Sequence, residues 1–288
     1  MSISFDGRVA IVTGAGGGLG RCHALDLAAR GAKVVVNDLG GAMDGTGGSS
    51  AAAEAVVAEI KAAGGEAIAN GGSVSDPAGA QSMVDDAMKA WGRVDILINN
   101  AGILRDKTFT KVTIEDFQAV VDVHLMGAMM VTKAVWPIMK EQNFGRIVMT
   151  TSPSGLFGNF GQTNYGAAKL GLVGFMNTLK IEGAKNNIHT NAIAPVALTR
   201  MTENLIPEEA GKNLGPELIT PAVTFLCSDD APNGVVVQAA GGNFSVAAIV
   251  ENTGANLGPD AQAEDVAAAW SQITDLTGAK QRNMLQLG

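Results

Sequence analysis

Between Arg8 and Ala32 the chain reads RVAIVTGAGGGLGRCHALDLAARGA. The opening RVAIVT is short, rich in β-branched residues and free of polar alternation, the pattern of a strand covered on both faces. Gly14, Gly18 and Gly20 then open an alanine-rich stretch that ends at Gly31. Glycines there admit positive φ in the turn and let backbone N–H groups approach a pyrophosphate at the N-terminus of the following helix. A strand that enters a helix through such a turn constrains the chain to a parallel α/β sheet with a dinucleotide site at its first crossover.

The rest of the chain continues the alternation. Further strands are expected at 33–38, 66–70, 94–99, 145–151, 189–194 (closing at Pro195) and 235–239. Helices are expected at 51–63, from Pro77 after an Asp76 cap, over 113–142, from Tyr165 to about Lys185, at 219–226 and around 264–273. The fold class expected is α/β: a single Rossmann-type, doubly wound parallel sheet with helices on both faces and a C-terminal extension. Residues 1–242 form the catalytic domain, and 243–288 pack on that domain or on a neighbouring subunit. The low-complexity stretch 40–50 reads as an exposed loop, and 197–216, with Met201, Leu205 and Ile206, as a lid over the substrate.

Asp38 falls at the end of the second strand, eighteen residues after Gly20. An acidic group there binds ribose hydroxyls and repels a 2′-phosphate, which predicts NAD as cofactor. Tyr165 and Lys169 are four residues apart and share a helix face, and Tyr165 is the one tyrosine of the chain. An ammonium beside a phenol favours the tyrosinate and tunes it for proton transfer. Ser152, thirteen residues earlier, returns across a glycine-rich loop to the same substrate oxygen. Pro153 stiffens that loop.

A net charge of −8 without a basic block argues against nucleic acid and anionic membranes as partners. Cys22 and Cys227 lack metal-ligand spacing and read as reduced thiols; no metal is expected. With no signal-like N-terminus and no apolar run of eighteen residues, a cytoplasmic location is expected.

The glycine turn, Asn99-Asn100-Ala101-Gly102 and Ser152, Tyr165 and Lys169 together resemble the short-chain dehydrogenase/reductase family over about residues 5–242. The resemblance implies catalytic roles for Ser152, Tyr165 and Lys169. It implies cofactor contacts from Gly14, Gly18, Leu19, Gly20, Asp38, Ser73, Val74, Asn100, Ala101, Gly102, Tyr165, Lys169, Pro195 and Thr199. His124 stands where the family usually has an asparagine, and is a candidate for the proton relay. The phrases VVVNDLGG, VDVHLMG and SGLFGNFGQTNYGAAKLGL are similar to a branch that oxidises (3R)-3-hydroxyacyl-CoA with NAD. That implies a free-standing NAD-dependent dehydrogenase for a small-molecule alcohol or ketone, a CoA thioester in the first instance, working as a homo-oligomer (dimer or tetramer). The alternatives are a dehydrogenase for 17β-hydroxysteroids or other bulky secondary alcohols and, from another class, a non-catalytic dinucleotide-binding sensor.

Overall fold

The computed structural model describes residues 2–42, 44–199, 201–202 and 211–281. Eight strands form one sheet: β1 (Val9–Thr13), β2 (Lys33–Asn37), β3 (Glu66–Asn70), β4 (Ile96–Asn99), β5 (Gly145–Thr150), β6 (Ile188–Val196), β7 (Val236–Ala240) and β8 (Asn243–Ala247). Their order is β3-β2-β1-β4-β5-β6-β7-β8, and β1 to β7 run parallel. Ile11 lies opposite both Val35 and Leu97. Every residue of β1 and β5 is buried, as their non-alternating sequences require of central strands.

The helices are α1 (Gly18–Ala29), α2 (Ala51–Ala62), α3 (Pro77–Trp91), α4 (Ile114–Val121), α5 (Gly127–Gln142), α6 (Pro153–Phe157), α7 (Thr163–Gly183) and α8 (Thr220–Leu226). The Asp76 side chain accepts from Gly79 N at 3.0 Å, with Pro77 in the first turn; the helix starts where this chemistry places it. By length and hydropathy 114–142 would suffice to cross a bilayer. Here α4 packs on α7 and α5 on α3. On α1, His23 is buried with Nδ1 2.9 Å from Thr220 Oγ1 on α8, and its Nε2 has no partner. Burial drives its pKa down to about 4.

Three expectations are corrected. The strand expected to close at Pro195 continues to Val196, with Pro195 opposite Ala239. Its pairing with β5 ends at Ile193, so the proline stands where β6 has a strand on one side only. The last strand is followed by an eighth, β8, reached through Gly241-Gly242, a two-residue link of the kind hairpins use. The helix expected at 264–273 is two short ones, α9 (Ala263–Ala268) and α10 (Trp270–Ile273).

The chain divides into two compact units, Met1–Val246 and Ala247–Gly288. Within the second, a two-stranded antiparallel pair, β9 (Val250–Glu251) and β10 (Lys280–Gln281), accompanies α9 and α10. Asn252 Nδ2 donates to the carbonyls of Ile273 (2.8 Å) and Asp275 (2.6 Å).

Candidate active site

The order of the sheet reverses between β1 and β4, and at such a switch point the carboxyl ends of neighbouring strands diverge to leave a crevice. The turn after β1 fills it. A Cβ added at Gly14 would lie 2.8 Å from Ala101 Cα, and one at Gly20 would strike the Gly14 carbonyl and come within 2.6 Å of Asn100 Nδ2. Asn100 Nδ2 donates to the carbonyls of Thr13 (3.0 Å) and Gly14 (2.9 Å), so the strand end after β4 braces the turn. The first turn of α1 holds no acidic residue and its Gly17 cap offers no side chain. Its N–H groups and helix dipole are free to take an anion. This cradle fits a dinucleotide pyrophosphate.

Asp38 lies beside the cradle, accepting from Gly16 N (2.8 Å) and Gly40 N (2.6 Å). Val74 is buried against Gly127, while the Ser73 hydroxyl lies 3.0 Å from Ser75 Oγ. Thr199 approaches Gly18: a Cβ there would sit 3.6 Å from the threonine methyl. Pro195 lies in β6, and Leu19 packs on the core beneath α1. Of the expected lid, Leu205 and Ile206 lie outside the described residues. Met201 N donates to Thr199 Oγ1 at 3.2 Å.

Ser152 stands two residues beyond the end of β5, and α7 brings Tyr165 and Lys169 to the same crevice. The segment after Ser152 is not a loop. Pro153 begins the short helix α6, and Ser152 caps it, Oγ accepting from Ser154 N at 3.1 Å. Gly155 lets α6 lie against α7, since a Cβ would come 2.8 Å from Lys169 Cβ. The cap pins the Ser152 rotamer through an Oγ lone pair, so its O–H can still donate, in this structure towards Tyr165.

The electrostatics differ from the simple ammonium–phenol pairing. Lys169 Nζ donates to the Thr150 carbonyl at 2.5 Å and lies 5.4 Å from the centre of the Tyr165 ring. Burial holds Lys169 down to about 7. Burial also pushes Tyr165 up to about 12; a hydrogen bond with Ser152 pulls it down, and the Asp106 carboxylate pushes it up. Desolvation, the largest cause at both groups, disfavours both charged forms. The protein alone therefore keeps Tyr165 a phenol.

The stretch expected to be helical over 113–142 opens into a wider π turn at Asp122–Met126, between α4 and α5, with His124 inside it. His124 is buried, its pKa well below 6.5 through burial and the nearby Lys169 charge. Its Nε2 is 2.8 Å from the Ile103 carbonyl, while Nδ1 is buried without a partner. His124 and Lys169 line one small cavity of about 10 Å³ with Thr13, Val74 and Asn99, on the scale of one water. Gly102 makes room for this ring: a Cβ there would collide with His124 Cε1.

Sequence reasoning missed the segment after Gly102. Asp106 accepts from Gln162 Nε2 (2.6 Å), Lys107 N donates to the Gly161 carbonyl (2.9 Å), and Asn164 Nδ2 donates to the Arg105 carbonyl (3.1 Å). These bonds fasten 105–107 to the start of the helix that carries Tyr165. The adjacent charges Arg105-Asp106-Lys107 directly after the Asn-Ala-Gly turn were the available signal. Thr13 was also missed; its Oγ1 accepts from Asn100 N (3.0 Å) and Ala101 N (3.1 Å).

A nucleotide cradle beside a serine, tyrosine and lysine at the end of β5 defines a dinucleotide-dependent oxidoreductase. The chain belongs to the short-chain dehydrogenases, whose family model matches residues 8–210. It is 55% identical over 274 residues to a short-chain type dehydrogenase/reductase of Mycobacterium tuberculosis, covering 95% of this chain and 96% of that protein. It is 50% identical over 283 residues to peroxisomal multifunctional enzyme type 2 of Drosophila melanogaster, covering 96% of this chain and 47% of the enzyme. The chain thus spans about half the length of that relative. The solved full-length fly enzyme superposes with a TM-score of 0.81 at 43% identity, over 97% of this chain and 47% of that one. A 7α-hydroxysteroid dehydrogenase solved with NADH and 7-oxo glycochenodeoxycholic acid gives a TM-score of 0.75 at 31% identity, over 83% of this chain and 95% of that one. The chain is an oxidoreductase of the CH–OH class that uses a nicotinamide dinucleotide.

Proposed function

We propose that this protein is an NAD-dependent dehydrogenase that interconverts (3R)-3-hydroxyacyl-CoA and 3-oxoacyl-CoA. The observation that carries the reading is the likeness to multifunctional enzyme type 2 over nearly the whole chain, which includes the second unit and not only the nucleotide-binding fold. Asp38 supports NAD: a carboxylate at this strand end repels a 2′-phosphate, and no Arg or Lys stands within residues 37–42 to receive one.

The bound nicotinamide supplies the hydride acceptor. Ser152 donates a hydrogen bond to the substrate oxygen, and Tyr165, as the tyrosinate left once its own proton has departed by way of Lys169, takes the hydroxyl proton as the carbonyl forms. Lys169 lies on the next turn with its ammonium directed at Thr150, between Tyr165 and the small cavity. His124 Nε2 faces both the carbonyl (2.8 Å) and the N–H (3.1 Å) of Ile103; with its proton on Nε2, donated to the nearer carbonyl, Nδ1 is left as an acceptor for a water in that cavity. The proton that Tyr165 sheds passes by way of Lys169 and that water towards solvent; the imidazole, which burial keeps neutral, orients the water and is not the final acceptor.

The test is the rate of NADH formation on matched (3R)- and (3S)-3-hydroxyacyl-CoA, with NADP in place of NAD as control and estradiol as competing substrate class. Rapid (3R)-selective oxidation with NAD is expected. Silence on both thioesters with turnover of the steroid would transfer the site to steroid alcohols, the reading that the likeness to a hydroxysteroid dehydrogenase favours. Tight NADH binding without turnover of any alcohol would make the protein a dinucleotide sensor.

A further inference from the structure

The loop between β2 and α2 crosses the nucleotide crevice. It leaves β2 at Asp38, where Gly40 N donates to Asp38 Oδ1 (2.6 Å) and Ser49 N to the Leu39 carbonyl (2.7 Å). Beyond this neck it is folded on itself. Ala42 N donates to the Thr46 carbonyl (2.7 Å), and Thr46 donates to Asp44 Oδ1 through N (3.0 Å) and Oγ1 (2.7 Å). Its far end touches residues that follow β4. Arg105 Nε donates to the Asp44 carbonyl at 3.0 Å, and a Cβ on Gly45 would lie 3.3 Å from Ile103 Cδ1. β2 and β4 flank β1 on opposite sides. A loop rooted on β2 that reaches the residues after β4 must pass over the carboxyl end of β1, where Gly14 to Gly20 form the cradle.

We propose that Arg105 latches this loop over the dinucleotide and so governs how fast the cofactor leaves. The inference rests on the dehydrogenase reading given above. The loop residues Asp44 to Ser50 are all exposed, so no apolar core holds them closed. A guanidinium donating to a carbonyl is a strong yet reversible tie. Arg105 is itself set in place: Nη1 donates to Asp116 Oδ1 at 3.3 Å, and Lys107 Nζ holds the other oxygen of that carboxylate at 2.7 Å. Its carbonyl accepts from Asn164, the neighbour of Tyr165, and the backbone of Ile103 meets His124 Nε2. One segment, Ile103 to Arg105, therefore joins the loop over the nucleotide to the residues around the reacting carbon. Arg105 is a positioning residue and touches neither substrate nor reacting atoms.

The experiment measures NADH dissociation by stopped-flow fluorescence, chasing preloaded enzyme with excess NAD, for wild type, Arg105→Gln, Arg105→Lys and Gly45→Val. Thermal unfolding is recorded alongside. Losing the charge-assisted bond to the Asp44 carbonyl, the one that ties down the loop, should raise the NADH dissociation rate about tenfold in Arg105→Gln. Arg105→Lys should recover part of that change. Gly45→Val, which loads a positive φ of 88° and crowds Ile103, should loosen the loop from its other anchor and also speed release. The melting temperature of Arg105→Gln should stay near wild type. Unchanged dissociation in both Arg105→Gln and Gly45→Val overturns the latch. Failure of the wild-type protein to bind NADH overturns the dehydrogenase reading instead.

Discussion

The imidazole of His124 stands edge-on to the phenol of Tyr165, their ring centres 5.1 Å apart and their planes at 87°. The two residues reach this contact from different helices. His124 gets there because the π turn at Asp122–Met126 shifts the helix face by one residue, and Gly102 leaves the ring its place. The contact puts a neutral imidazole beside the Tyr165 phenol, and the imidazole and Lys169 line one water-sized cavity.

Replacing Tyr165 by Phe should lower kcat roughly two to four orders of magnitude, the span of a positioned acid or base. NADH affinity should fall far less than kcat, because the cradle for the pyrophosphate at Gly14 to Gly20 does not include the phenol. A steady-state assay with parallel fluorescence titration checks both; near-normal turnover would remove Tyr165 from the chemistry.

Gly102 and His124 should be energetically coupled. Gly102→Ala drives a methyl group into the His124 ring and should cost about 1–3 kcal/mol. In a His124→Ala background the same methyl has room, so the double mutant should recover at least about 1 kcal/mol relative to additivity. Urea unfolding of the four proteins measures the cycle. Strict additivity would mean that the ring moves aside at no cost.

His23 should make the fold acid-sensitive. Its pKa falls from 6.5 to about 4 on burial, so the folded state resists a proton that the unfolded state accepts. The stabilisation is complete above pH 6.5, erodes as pH falls, and is lost once pH passes below about 4. A shift of about 2.5 units corresponds to about 3 kcal/mol. Urea unfolding of wild type and His23→Gln between pH 7 and 4 should show the wild type losing more stability by an amount of that order. Parallel curves would assign the acid sensitivity to other groups.

Asp38 accepts from two backbone N–H groups, of Gly16 and Gly40, and is the residue proposed to bind the ribose. Asp38→Ala should reduce the preference for NAD over NADP and also weaken NAD binding, because both donors lose their acceptor. Asp38→Asn keeps one acceptor oxygen and should relax the preference with a smaller loss of NAD affinity. Ratios of kcat/KM for the two cofactors test this; a ratio unchanged in both variants would end the assigned role.

The sequence by itself determined the elements and the chemistry that local pattern controls. Strands β1, β2, β4 and β5 are legible because central parallel strands are apolar on both faces. The start of α3 is legible from Asp76 and Pro77, and the glycine turn from the needs of a backbone that must come close to phosphate. Tyr165 and Lys169 are legible because helix geometry fixes their common face. What only the tertiary structure decided depends on atoms distant in sequence. The sign of the Tyr165 and Lys169 shifts follows from how deeply the fold buries them, so desolvation wins over an attraction that spacing alone suggests. The course of β6 through Pro195 depends on where β5 ends. The π turn has no helical-period signature, because one extra residue in a turn leaves the apolar pattern almost unchanged. Arg105, Asp106 and Gln162 enter the site through contacts between loops, and no local periodicity records which loops will meet.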